Sequence, residues 1–234
     1  MEKINIQYVF RLQGDRQEVV NLYLDAQTLH LVDDTMEKLP SWTNLNFHQC
    51  PNCPLTIQTH PHCPVASHLV NLLTICKSLL SYESIHVDVV TPDRVISKDT
   101  TAQKGISSLM GLIMATSGCP HTSFFKPMAR FHLPFASEEE TIYRAASMYL
   151  LAQYFIRQQG EKSDLELEGL SKIYSNIQLM NEAMAKRLQA IIDKDSAINA
   201  LIVLDIFAKT LPDAIEDSLK EIRYLFKSYL KPSD

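Results

Sequence analysis

The chain has 234 residues, is 46% hydrophobic and carries a formal net charge of −5. That apolar content fills a core and excludes general disorder, while the acidic balance gives no general attraction to nucleic acid. Five cysteines are too few for a disulfide scaffold, and an odd number cannot pair completely within one chain.

The N-terminal residues read as a strand, not as a signal peptide. Ile4, Ile6, Tyr8 and Phe10 alternate with polar residues, the stretch 13–16 reads as a turn, and Val20, Leu22 and Leu24 alternate again. Leu29 and Leu31 extend this to a three-stranded antiparallel sheet with one apolar face, which a helix or second sheet must cover. Residues 33–64 lack a period. Val65, Leu69, Leu72, Leu73, Cys76, Leu79 and Leu80 recur at helix spacing, which places Cys76 on a core stripe. Residues 84–90 alternate as a fourth strand, which Arg94 to Ile96 continue after Pro92.

From about residue 101 the pattern turns helical. A helix over 103–116 ends at Gly118. Ser137 with Glu140, and again Ser163 with Glu166, give capping-box signals before two long helices, the second running to about Ile192. Two more helices are expected over 195–209 and 213–230, with Pro212 opening the last. The fold expected is α+β, with a small antiparallel sheet at the N-terminus packed on a larger, mainly helical part. Residues 1–100 form the sheet-containing part, residues 101–234 the helical part, and the whole chain one compact unit. No apolar run reaches the length of a membrane span, so a cytoplasmic protein with reduced thiols is expected.

Four cysteines, Cys50, Cys53, Cys63 and Cys119, are each followed by proline. Two thiolates spaced as in Cys50-Pro-Asn-Cys53 can bind one metal ion, and the proline pre-forms their turn. Rubredoxin-type loops use the same Cys-Pro-x-Cys chemistry, although Pro54 replaces the glycine usual in that knuckle. Four thiolates suit tetrahedral zinc or iron, or an iron–sulfur cluster. His60, His62, His68 and His121 are close enough in sequence to replace one thiolate. A closed four-thiolate site is mainly structural. With three protein ligands a fourth position is open to water or substrate; the alternative readings are an iron–sulfur or metal-dependent redox enzyme using the Cys-Pro cluster, and a metal-free structural or interaction protein.

A second candidate is the non-periodic segment 118–135. Arg130 and His132 share a side if it is extended, and Arg144 follows on the next helix. Arg130 and Arg144 would hold a small anionic ligand, with His132 as acid or base. Asn181, Arg187, Asn199 and Asp205 interrupt apolar helix faces, and for Asp205 a bond between helices is expected. No hydrolase triad, phosphate-binding loop, dinucleotide fingerprint or HExxH motif is present, so no enzyme class is assigned. An acidic helical surface with exposed aromatics is compatible with an oligomer.

The motifs Cys50-Pro-Asn-Cys53-Pro-Leu, Cys63-Pro-Val-Ala, Ser117-Gly-Cys-Pro-His121 and Ala129-Arg-Phe-His-Leu-Pro-Phe135 resemble those of a family of uncharacterised bacterial proteins, catalogued as a domain of unknown function. The resemblance covers nearly the whole chain. It implies a bacterial origin and a single full-length unit, and it carries no activity.

Overall fold

The structure is a computed structural model that describes residues 2–32, 38–76, 79–191, 198–202, 204–205, 208 and 219–230. Four strands, β1 (Lys3–Arg11), β2 (Gln17–Asp25), β3 (Ser84–Val90) and β4 (Val95–Thr101), form one antiparallel sheet in the order β2-β1-β3-β4. Strand alternation has its physical counterpart here, because successive side chains point to opposite faces. Ile6, Tyr8, Phe10, Leu22, Leu24, Ile85, Val87 and Val89 are all buried. The other face is mixed, with a charged cluster beside Val9. Arg11 pairs with Asp88 at 2.9 Å, and the His86 ring reaches both Asp88 and Asp99.

Helix α2 (Ala102–Thr116) packs on the apolar face, and helix α1 (Pro64–Cys76) packs against α2. α2 is the central helix, with Ile106, Leu109 and Met110 fully excluded from solvent. Gly105 sets how closely it sits on the sheet. A Cβ there would lie 3.1 Å from Val87, 3.3 Å from Ile85 and 3.3 Å from Phe10. The chain then makes the short helix α3 (Lys126–Arg130) and the long helices α4 (Glu138–Gln158) and α5 (Glu168–Gln189). The architecture is α+β, as the hydrophobic pattern predicts. Among the described residues, no helix is long and apolar enough to cross a membrane.

Four local expectations are corrected. Leu29 and Leu31 do not form a third strand. Asp25 Oδ1 accepts hydrogen bonds from the amides of Gln27 and Thr28 and from the Thr28 hydroxyl, and this turns the chain through a left-handed Leu29. Leu31 keeps only a single bridge to Leu24, and its amide donates to the Thr116 carbonyl instead. Residues after Pro92 do not continue β3. Thr91 and Arg94 close a tight turn, with the Thr91 amide donating to the Arg94 carbonyl at 2.9 Å, and β4 runs back beside β3.

The Ser137 capping box is formed in full, but Ser163 and Glu166 do not cap α5. Asp164 takes that role. Its Oδ2 accepts from the Gly169 amide at 2.8 Å and its Oδ1 from the Glu166 amide at 3.1 Å, with Leu167 left-handed. α1 ends at Cys76, before the predicted Leu79 and Leu80, and Cys76 is 1% exposed in the core. Of the two C-terminal helices, residues 198–202, 204–205, 208 and 219–222 are helical and Arg223–Tyr229 is a 3-10 helix. Pro212 lies outside the described residues.

Candidate functional site

Three backbone segments bring the Cys-Pro residues together. The Cys53 amide donates to the Cys50 carbonyl at 3.1 Å and closes a tight turn. The Cys63 amide donates to the Thr43 carbonyl at 2.7 Å, which lays the end of the loop against residues 43–45 just before α1. Cys119 follows Gly118, whose φ of +88° lets the chain leave α2 sharply. Asn52, between the first two cysteines, is held from both sides. Its carbonyl accepts from His121 Nε2 at 2.8 Å, and its side-chain amide donates to Asn176 Oδ1 of α5 at 2.9 Å.

The four thiols share one neighbourhood. Cys63 and Cys119 are buried, and Cys50 and Cys53 are half-buried. Burial first, then the nearby Cys63, Cys53 and Cys119, push the Cys50 thiol up to about 12, against the pull of Arg187. Burial also raises Cys119, while the nearby backbone amides of His121 and Thr122 pull it the other way and favour the thiolate. Among the described residues, no group of three or more His, Cys, Asp or Glu side chains is arranged to hold a metal ion. The four nearby histidines are engaged elsewhere through one ring nitrogen. His60 bonds Thr59, His62 bonds Thr43, His68 bonds the Pro64 carbonyl and His121 bonds the Asn52 carbonyl.

Beneath the thiols lies Arg187 of α5, 2% exposed. Its guanidinium donates to the carbonyls of Trp42, Asn44 and Leu45 and lies over the Phe47 ring. It has no carboxylate partner among the described residues, and the ionisable groups that act on it are Cys63, Cys50 and Cys53. Arg187 was legible in the sequence as a charge on an apolar helix face. Its three bonds run to carbonyls of residues 42–45, next to the Cys-Pro loop.

A second site is a cavity of about 560 Å³ between β4, α2, α3, α4 and α5. His132 and Arg144 line it, and Arg130 does not. The stretch is not extended, because α3 winds through Arg130, which is exposed beside the Phe131 ring. The His132 Nε2 stands 2.6 Å from the Tyr8 hydroxyl, itself 2.8 Å from Ser108 Oγ. Burial, then the charge of Arg144, depress the His132 imidazole to about 4, so it is neutral at pH 7. Arg144 Nη2 donates to the carbonyls of Met128 at 3.0 Å and Phe131 at 2.8 Å. Glu140 does not pair with it. That carboxylate accepts from the Ser137 amide instead.

Asn181 is the residue of this cavity whose role the sequence hid. It is 1% exposed, it lines the cavity, and neither its amide nitrogen nor its oxygen has a hydrogen-bond partner among the described residues. Its only signal was a polar interruption on an apolar helix face, and Tyr8 gave none, since it reads as one more apolar position of β1.

No curated protein and no solved structure matches the chain. The model of the family described as Domain of unknown function (DUF6901) matches residues 6–227, and the chain belongs to that family.

Proposed function

We propose that this is a metal-binding protein in which Cys50, Cys53, Cys63 and Cys119, as thiolates, hold one zinc or iron ion. The metal is mainly structural. It clasps the Cys-Pro loop to the turn after α2, and so joins the sheet-containing part to the helices.

The observation that supports this reading is Arg187. A buried guanidinium without a counter-charge is strongly disfavoured. Its electrostatic neighbours are cysteines, and neutral thiols give it nothing to balance. A divalent ion with four thiolates carries two net negative charges, which a single guanidinium partly offsets. Metal binding would displace the thiol protons, including those that burial retains on Cys50 and Cys119. The amide donors to Cys119 fit the same state of the sulfur. A cytoplasmic location, where thiols stay reduced, belongs to this reading.

A small anionic ligand is the second part of the proposal. Its cation is Arg144, in the cavity, and not Arg130. Two alternatives to a structural metal are separated by the same experiment, elemental analysis and thiol titration of protein purified without oxygen. One zinc or iron per chain is expected. Several irons with sulfide and a brown colour would move the function to electron transfer. Absence of metal, with the half-buried Cys50 and Cys53 reacting freely in the native state, would overturn the proposal in favour of a metal-free interaction protein.

A further inference from the structure

The cavity combines three features that do not explain one another within the protein. Its walls are mostly apolar. It holds a half-buried guanidinium, Arg144, whose Nη1 and Nε have no hydrogen-bond partner among the described residues. It also holds Asn181, a buried amide with both polar atoms unpaired among the described residues. An unpaired buried amide is costly, and such groups persist where something else satisfies them.

We infer that the cavity binds an apolar monocarboxylate that carries a second polar group with both donor and acceptor character, an amide or a hydroxyl. The inference deepens the anionic-ligand part of the proposed function and is independent of the metal. The carboxylate goes to the open edge of the Arg144 guanidinium, a planar fork suited to two oxygens. The second group goes to Asn181, whose nitrogen donates and whose oxygen accepts. The apolar body fills the space between α2 and α5, against Leu112, Met128 and Ile177.

Size and charge narrow the class. A space of about 560 Å³ falls in the range of small-molecule sites. Lys98, Lys104 and Arg144 line it against Glu138 and Glu140, which leaves one excess positive charge. A single carboxylate balances that charge, and a phosphate dianion exceeds it. His132 adds no charge at neutral pH and offers its ring beside Tyr8 as a polar wall.

The test uses the full chain, calorimetry and thermal unfolding, with four probes: N-hexanoylglycine, octanoate, N-hexanoylglycine methyl ester and octylamine. N-hexanoylglycine should bind tightest, octanoate more weakly, and the ester and the amine not measurably. In Asn181→Leu the affinity for N-hexanoylglycine should fall about tenfold, the worth of one hydrogen-bonded polar pair, while that for octanoate is unchanged. The ligand-free variant should melt at a higher temperature, because an unpaired amide has been removed. A purely structural Asn181 would instead lower the melting temperature and leave both affinities unchanged.

Equal binding of N-hexanoylglycine and octanoate by the unmodified protein overturns the role of Asn181 alone, whatever the variant does. Equal binding of acid, ester and amine, or binding of none, overturns the anionic-ligand reading as well.

Discussion

The Tyr8 hydroxyl and the His132 ring are joined at 2.6 Å, across 124 positions of sequence. Tyr8 lies on the buried face of β1, and His132 follows α3. The same hydroxyl meets Ser108 of α2 at 2.8 Å. One phenol therefore fastens the sheet, the central helix and the wall of the cavity. Burial holds both partners uncharged, raising the Tyr8 phenol and lowering the His132 imidazole.

This pairing predicts a pH dependence of stability. An unfolded histidine titrates near 6.5, and folded His132 near 4. Between those values the unfolded chain binds a proton that the folded chain refuses. Stability is therefore complete above about pH 6.5 and is lost as pH falls toward 4, by about 3 kcal/mol from this group. Urea unfolding at pH 7 and pH 4 measures it. His132→Gln keeps a polar partner for Tyr8 and removes the titration, so its loss over the same interval should be smaller by that amount. Parallel pH profiles for the two proteins would show that His132 is not the group responsible.

Ser137 caps α4 through both halves of a capping box, its Oγ accepting from the Glu140 amide at 3.1 Å while Glu140 returns to the Ser137 amide at 2.7 Å. Ser137→Ala should cost about 1 kcal/mol in denaturant unfolding. Glu140→Gln, which can still accept from the Ser137 amide, should cost less. A larger loss in the glutamine variant would place the charge of Glu140, and not the cap, in control.

Tyr149, Asp164 and Gly169 predict a coupled pair. The Tyr149 hydroxyl donates to Asp164 Oδ2 at 2.8 Å, and a Cβ at Gly169 would overlap that hydroxyl. Gly169→Ala should lose about 2 kcal/mol, although alanine is the better helix former. Introducing Tyr149→Phe first removes the overlapped atom, so Gly169→Ala should then cost much less. Additive losses in the double-variant cycle would mean that the two residues act independently.

The fold was legible where burial imposes a period. Ile6, Tyr8 and Phe10 alternate because one face of a sheet is dry. Val65, Leu69, Leu72 and Leu73 recur because one side of a helix is dry. The Ser137 cap was legible because its partners lie three residues apart. Asp164 was not, because it caps α5 across a left-handed Leu167 that no local spacing announces. The same limit applies to the site. The Cys-Pro pairs stand out by composition, whereas Asn181 and Arg187 show only as polar interruptions on a helix. Arg187 faces segments more than a hundred residues away and Asn181 a cavity drawn from several elements, and that information resides in packing. Arg130 failed for a related reason, since an extended segment and a short helix put the same residue on different sides.

Arg187 separates charge from geometry at the thiol cluster. Its guanidinium supplies donors to the carbonyls of Trp42, Asn44 and Leu45 and a positive charge beside Cys50, Cys53 and Cys63. Arg187→Met removes both and should lower stability by about 3 kcal/mol, as buried carbonyls lose their donors. Metal affinity, followed by competition with a chelator, should fall at least about tenfold, the equivalent of 1.4 kcal/mol of lost charge compensation. Arg187→Lys keeps the charge but not the planar fork, so it should lose stability while holding metal within a few-fold of the original affinity. If the lysine and methionine variants lose metal equally, the fork positions the loop and the charge is not what the thiolates require. If neither loses metal, Arg187 supports the loop alone and the four-thiolate centre is stripped of its main physical argument.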